Sequence, residues 1–287
     1  MTPIKPLSSK TFSFEFFPPQ TTEGVNKLAD TRRQLATLKP EFFSVTFGAG
    51  GSTRERTLEA VQHIQADGLP AAPHLSCVGS TRENIREIVQ AYKKMGIKRM
   101  VALRGDLPSG MATTGEFQHA NELVAFIRAE TGEHFHLEVA AYPEVHPQAR
   151  TPREDLLNFK RKMDAGANSA ITQYFYNADA YFRFVEDSRK LGITAPIVPG
   201  IMPIVKFSQL ARFSDTCGAE IPRWMRKTLE SYGDDGTSIQ AYGLDVVTQL
   251  CQRLLAGGAP GLHFYTLNQA APTMAIWQRL GLSSNDT

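Results

Sequence analysis

The chain has 287 residues, 42% of them hydrophobic and 21% charged, the make-up of a globular protein with a sizeable core to bury. Lys and Arg number 31 against 29 Asp and Glu, which excludes an overall field that recruits nucleic acid, so an anionic ligand must be held by local groups. Cys77, Cys217 and Cys251 form neither a disulfide framework nor a CxxC pair, and no membrane-length apolar run or signal-peptide core is present, so the cytoplasm is the expected address.

Phe12-Ser13-Phe14-Glu15-Phe16-Phe17-Pro18-Pro19 reads as a strand closed by two prolines that cannot continue a ladder. Alternation puts Phe12, Phe14 and Phe16 on one face and Ser13, Glu15 and Phe17 on the other. A carboxylate among aromatic rings is poorly solvated, which predicts for Glu15 a pKa raised toward neutrality, the property of a general acid. On residue type alone, a strand-end Glu facing water is the plainer reading.

Phe42–Thr46 is the second strand, followed by Gly48-Ala49-Gly50-Gly51. Thr53 stands where a dinucleotide fingerprint needs its third Gly, and the Gly-Lys-Ser/Thr of a phosphate loop is missing, so a tight turn is expected there. Ser52-x-x-Glu55 opens a helix with Leu58, Val61 and Ile64 as its apolar face. After the strand Ala71–Cys77, the capping box Ser80-Thr81-Arg82-Glu83 opens a helix with Ile85, Ile88, Val89, Tyr92 and Met95 on one stripe, stopped by Gly96. Arg99–Leu103 is the next strand, and the long loop Leu107–Gln118 after it is a candidate lid.

His134-x-His136 reads as an exposed entry to the strand His136–Ala141. Glu144 and His146 lack a third ligand at metal spacing, so no metal site is expected. Thr151-Pro152-Arg153-Glu154 opens a helix carrying Lys160-Arg161-Lys162, a solvated face or a phosphate-binding run. The strands Ser169–Gln173, Pro196–Pro199 and Gly261–Tyr265 follow Ala165-Gly166, Leu191-Gly192 and Gly257-Gly258. Arg223, Arg226 and Lys227 around Trp224 read as a surface helix.

Eight strands separated by helices predict a (β/α)₈ TIM barrel, α/β in class, as a single domain over 1–287. A doubly wound sheet is the alternative, since pattern alone does not show closure. Reading the strand ends in order gives Glu15, Thr46, His74, Arg104-Gly105-Asp106, Tyr142-x-Glu144-x-His146, Gln173 and Tyr265. Groups that ionise, hydrogen-bond or stack at nearly every strand end predict an enzyme, because barrels build their active sites there.

These residues, in this order, resemble the methylenetetrahydrofolate reductase family in its bacterial, catalytic-domain form. The matching stretches include Phe14-Glu15-Phe16-Phe17-Pro18-Pro19, Ser44-Val45-Thr46-Phe47-Gly48-Ala49 and Ala72-Pro73-His74-Leu75-Ser76-Cys77. They continue with Val101-Ala102-Leu103-Arg104-Gly105-Asp106-Leu107-Pro108, Ala141-Tyr142-Pro143-Glu144-Val145-His146-Pro147, Pro199-Gly200-Ile201-Met202-Pro203 and His263-Phe264-Tyr265-Thr266-Leu267-Asn268. The resemblance implies an FAD-dependent (β/α)₈ oxidoreductase working by a ping-pong mechanism, in which NADH or NADPH and 5,10-methylenetetrahydrofolate use the flavin in turn. It implies 5-methyltetrahydrofolate as product, for one-carbon metabolism and methionine synthesis, and a homo-oligomer without nucleic-acid or membrane partners. Regulation by an appended S-adenosylmethionine-binding domain is not expected.

By the same resemblance Glu15 is the acid that helps open the folate's five-membered ring, and Asp106 lies close to both flavin and pterin. FAD contacts are implied for Thr46, Phe47, His74, Arg104, Gly105, Asp106, His119, Ala120, Tyr142, His146, Ala149, Asp155, Asn158, Arg161 and Lys162. His119 is a departure, since a relative carries Tyr there. Substrate contacts are implied for Gln173, Gln209, Phe213, Tyr265 and Gln269, the last another departure, because Arg holds folate at that position in the family. The rival readings are a pterin-binding barrel that transfers a one-carbon unit without redox chemistry, and a non-catalytic folate or flavin carrier.

Overall fold

A computed structural model describes residues 10–47, 51–106 and 115–282, with backbone alone for 51–53. Gly48–Gly50 of the glycine turn and residues 107–114 of the candidate lid lie outside the described residues. The elements alternate as expected through the first half of the chain. They run β1 (Thr11–Phe16), α1 (Thr22–Ala36), β2 (Phe42–Val45), α2 (Gly51–Ala66), β3 (Ala71–Ser76), α3 (Arg82–Lys94), β4 (Arg99–Leu103) and α4 (Ala120–Thr131). Then follow β5 (His136–Ala141), α5 (Pro152–Asp164), β6 (Ser169–Thr172) and α6 (Ala178–Lys190). The last part holds β7 (Ile197–Val198), β8 (Gly200–Ile201), α7 (Phe207–Cys217), α8 (Arg223–Ser231), α9 (Gly236–Ala256), β9 (Gly261–Tyr265) and α10 (Ala271–Arg279).

All strand pairings are parallel, and closure decides between barrel and open sheet. The expected strand Pro196–Pro199 is two short strands, β7 and β8, divided at Pro199. Proline has no N–H to give a ladder, but its carbonyl accepts the N–H of His263 at 3.0 Å. The first half pairs with β6 and the second with β9, so this broken strand joins the two ends of the sheet and the doubly wound alternative falls. Glycine permits the tight seams: a Cβ on Gly261 would lie 1.7 Å from the Thr11 carbonyl oxygen, and one on Gly200 2.1 Å from that of Thr172.

Period-two alternation sorts side chains between two compartments. Phe12, Phe14 and Phe16 point outward into the layer between strands and helices, where Phe12 meets Trp277 edge-on at 4.7 Å and Phe14 lies 5.8 Å from Phe43. Inside the barrel Phe42, Ala72, Val101 and Ile171 form a separate small plug, against which Leu103 and Tyr265 rest. The caps follow the sequence closely: Thr151 receives the Glu154 N–H at 3.1 Å with Pro152 in the first turn. The cap of α3 falls on Thr81, which accepts from Asn84 N–H at 3.2 Å, one residue beyond the Ser80 the box pattern suggests.

At the bottom of the barrel His136 departs from its expected exposed setting. Its Nε2 lies 2.6 Å from Ser169 Oγ and 3.3 Å from Glu138 Oε1. Ser169 also donates to Glu138 Oε2 at 2.6 Å, while Arg99 pairs with both Glu138 and Glu41 and lies 4.5 Å over the Phe42 ring. Among the described residues no helix is long and apolar enough to cross a membrane.

Candidate active site

The C-terminal ends of the strands open into a cavity of about 600 Å³. Val101, Leu103, Ala140 and Ile171 supply its apolar lining, and Glu15, Thr46, Phe47, His74, Tyr142, Gln173 and Tyr265 reach it from six strand ends. Helix α7 closes one side with Arg212, Phe213, Thr216 and Cys217, and Met202, Tyr174 and Leu267 complete the wall. Eight residues singled out from the sequence thus meet in one place: Glu15, Thr46, Phe47, His74, Tyr142, Gln173, Phe213 and Tyr265.

Glu15 is the centre of the polar part. Its Oε2 is 3.3 Å from His74 Nε2 and 3.5 Å from His263 Nε2. The His74 contact has ion-pair distance but not hydrogen-bond alignment, whereas His263 is aligned. Behind it, His263 Nδ1 lies 2.7 Å from Ser13 Oγ, so the hydroxyl fixes the ring's orientation, while the ionised Glu15, which can only accept, calls for a hydrogen on Nε2. The residues place themselves by alternation: Ser13 and Glu15 share the inward face of β1, and His74 and His263 face inward from β3 and β9.

This arrangement overturns the expected raised pKa. Burial does push the Glu15 carboxyl up, but the charge of His74 and the hydrogen bond and charge of His263 outweigh it, bringing the group down to about 2. The aromatic rings invoked for the rise face the other way: Phe12, Phe14 and Phe16 are in the outer layer, and Phe17 is 46% exposed beyond the strand. Glu15 itself keeps 17% of its side-chain surface accessible, enough to meet a ligand from the cavity.

Two residues that the sequence reading left without a role hold Glu15 in place. Thr266 Oγ1 donates to the Glu15 carbonyl at 2.7 Å. Asn268 uses both ends of its amide on Phe17, accepting its N–H at 3.0 Å and donating to its carbonyl at 2.8 Å. Leu267 and Asn268 take positive φ of 51° and 56° to make this turn, an unusual backbone for a leucine that ties the end of β9 to the end of β1. Tyr265 donates to the Thr172 carbonyl at 2.7 Å, bracing the mouth from β9 to β6.

The remaining sequence-predicted residues of the implied cofactor site lie on the loops after β4 and β5 and on α4 and α5, outside the cavity lining. Arg104 donates to Gln148 at 2.5 Å and Asp106 is exposed, while Gly105 sits at φ 86° where a Cβ would lie 1.9 Å from Ser76 Oγ. His119 caps α4 without a side-chain cap bond, and Ala120 opens that helix. Asp155 accepts the His146 N–H at 2.8 Å, the His146 ring stands edge-on to Tyr142 at 4.5 Å, and the Ala149 N–H meets the His146 carbonyl at 2.9 Å. Burial lowers the His146 pKa and raises the Tyr142 phenol to about 12, so both are neutral hydrogen-bonding groups at physiological pH. Val145 between them holds φ 109°, a strained value for a β-branched residue.

The basic run on α5 divides. Lys160 pairs with Asp164 at 2.7 Å, and Arg161 reaches Asn158 at 2.5 Å from an exposed position. Lys162 turns inward to the Ala140 carbonyl at 2.5 Å, and burial brings its ammonium down to about 8. Gln209 lies on α7 and Gln269 is exposed on the loop after β9; neither is among the residues lining the cavity. Glu144 accepts the Glu220 N–H at 2.7 Å, and among the described residues no group of three His, Cys, Asp or Glu is placed to hold a metal ion.

Comparison with known proteins agrees with this geometry. The family model for methylenetetrahydrofolate reductase matches residues 4–281. The 5,10-methylenetetrahydrofolate reductases of Salmonella typhimurium and Escherichia coli are each 42% identical over 271 residues, which covers 94% of this chain and 90% of theirs. A probable methylenetetrahydrofolate reductase (NADH) from Oryza sativa is 40% identical, with 94% of this chain covering 48% of that one. Among solved structures, a Clostridium thermocellum protein described as binding two copies of 5-methyl-5,6,7,8-tetrahydrofolic acid shares the fold at TM-score 0.68 and 16% identity, over 95% of this chain and 94% of that one. A barrel whose mouth gathers these strand-end residues, matched from end to end of the described structure, makes this chain a member of the methylenetetrahydrofolate reductase family.

Proposed function

We propose that the protein reduces 5,10-methylenetetrahydrofolate to 5-methyltetrahydrofolate with electrons from NADH or NADPH, using FAD bound at the barrel mouth. The observation that carries this reading is the Glu15 carboxylate set against two imidazoles at the edge of a cavity of about 600 Å³, in a chain of this family.

The residues present fit the cofactor. An apolar lining of Val101, Leu103, Ala140 and Ile171 suits a flat ring system, and Thr46, His74, Tyr142 and Gln173 offer hydrogen-bonding groups to its polar edge. The exposed Arg161 and the N-terminus of α4 behind His119 and Ala120 suit the phosphate and adenosine parts. Lys162 fits a supporting role, since its ammonium is committed to the Ala140 carbonyl. FAD supplies a carrier that accepts an electron pair from the nicotinamide and delivers it to the folate, which is why two substrates can share one cavity in turn.

The protein's own task is to manage a proton. Opening the folate's five-membered ring needs protonation at a ring nitrogen, and a lone carboxyl at about 2 is ionised at neutral pH. Nε2 of His263 and Nε2 of His74, both set against Glu15 Oε2, are placed to relay a proton to the substrate nitrogen by way of that oxygen. Ser13 Oγ keeps His263 oriented through each transfer, and Thr266 keeps Glu15 from withdrawing.

The test is anaerobic and separates the two half-reactions. Purified protein supplied with FAD should show a flavin band that bleaches with NADH or NADPH and returns with methylenetetrahydrofolate. Glu15→Gln should leave bleaching nearly intact and slow the return by about 10²- to 10⁴-fold. A protein that takes up no FAD, or a variant equally impaired in both halves, would overturn the assignment.

A further inference from the structure

The geometry points to Arg212 as the residue that anchors the anionic tail of the folate substrate, a role that Gln269 cannot fill. This inference rests on the proposed folate reaction and names the specificity determinant within its site.

Folates carry a benzoylglutamate tail, so a cavity that accepts one must either leave two carboxylates in water or meet them with a cation. Of the lining residues, Arg212 is the one with a permanent positive charge, and Glu15 is the one carboxylate. Arg212 has no carboxylate partner among the described residues. Its guanidinium instead lies 5.4 Å over the ring of Phe213, which leaves the planar fork open to a ligand while limiting the conformations it must give up on binding.

Position on the fold strengthens the case. Glu15 and His74 enter the cavity from β1 and β3, whereas Arg212 enters from α7 with Phe213, Thr216 and Cys217 at helical spacing. The two charge signs therefore come from different walls. A substrate with a ring nitrogen to be protonated and an anionic tail has one favourable orientation, ring toward Glu15 and tail toward Arg212. Reversing it sets the tail's charge against Glu15. Gln269 is exposed, neutral and outside the cavity lining, so it supplies neither charge nor position.

The test compares Arg212→Ala and Arg212→Lys with the wild type on methylenetetrahydrofolate and on the corresponding methylenetetrahydropterin, which lacks the benzoylglutamate. It adds calorimetric titration with 5-methyltetrahydrofolate at two salt concentrations. Arg212→Ala should raise KM and Kd for the tailed ligand by roughly 10- to 100-fold, in line with a charge-assisted hydrogen bond. Arg212→Lys should recover part of the loss, and the salt dependence of binding should weaken in Arg212→Ala. Unchanged KM and Kd, an equal loss on tailed and tailless substrates, or a loss confined to the nicotinamide would overturn the anchor while leaving the folate reaction standing. A wild type that neither binds nor reduces folate would overturn the reaction itself, and the anchor with it.

Discussion

Arg99→Ala tests how the bottom of the barrel is held. Glu138 is 2% exposed and ionised below its ordinary pKa: burial pushes it up, but His136, Arg99 and Ser169 outweigh that. Removing Arg99 leaves a buried carboxylate with a hydroxyl and an imidazole, and also removes the cation above Phe42. Breaking a fully buried pair costs about 3–5 kcal/mol. Because Arg99 keeps 19% of its side-chain surface exposed and Glu138 keeps two partners, the lower end, about 3 kcal/mol, is expected. At roughly 2–4 °C per kcal/mol for a chain near this size, that is a fall in Tm of about 6–12 °C at pH 7. The pH dependence gives the mechanism its signature. In the wild type the folded pKa is lowered, so Glu138's contribution is fully present above the ordinary 4.5 and fades only as pH falls through the folded value. In the variant one of the influences that lower the folded pKa is gone, so that pKa moves up and the carboxyl takes up a proton more readily as pH falls from 7 toward 4.5. The Tm gap should therefore narrow over that interval. Calorimetric scans of both proteins at pH 7, 5.5 and 4.5 decide it; a gap below about 1 kcal/mol, or one that stays constant, would refute the buried-charge account.

Two other substitutions probe the mouth. His74→Gln removes the strongest influence lowering Glu15, so the carboxyl should rise from about 2 toward or above 4.5 in a carbon-13 titration of labelled glutamate, and an unmoved resonance would show that His263 alone sets it. Gly200→Ala would place a Cβ 2.1 Å from the Thr172 carbonyl and 2.6 Å from the Tyr265 ring, where backbone cannot yield, so a loss of about 3 kcal/mol in urea unfolding is expected. A variant as stable as the wild type would mean that the seam between β6 and β8 is slack.

Much of this molecule was legible in the sequence because its signals are local. Strand alternation separated Ser13 and Glu15 from the three phenylalanines, and the structure keeps that division. Helix caps and glycine stops located the strands, and with them the strand ends that meet at the cavity. What depends on non-local pairing was not legible. The split at Pro199 follows from which neighbours each half meets, and the pattern of Pro196–Pro199 alone reads as one strand. His74 and His263 lie 59 and 248 positions from Glu15, so their grip on its proton could not be inferred from flanking phenylalanines. Asn268 clamps Phe17 across 251 positions for the same reason. Arg212 gave a weak signal, one cation on a helix beside an aromatic residue, and only the cavity wall distinguishes it from other surface arginines.

The corrected charge state of Glu15 suits the proposed reaction better than the expected one. A neutral carboxyl could donate a proton, but it would offer no negative charge to the substrate before doing so. An ionised Glu15 already turns its charge to the cavity, with His74 and His263 at 3.3 and 3.5 Å placed to pass a proton through it. In the proposed reaction a proton passed to the folate nitrogen would open the ring to a cation beside the Glu15 carboxylate. The charge created on the substrate and the charge left on the protein are equal and opposite, and both lie in a site lined by Val101, Leu103 and Ile171, where water screens them poorly. The cluster thus supplies what aromatic burial of a single glutamate would not: a path for a proton and a fixed counter-charge at the carboxylate it passes through. That is why His263, held by Ser13 and wholly buried, belongs with Glu15 as one chemical unit rather than behind it as packing.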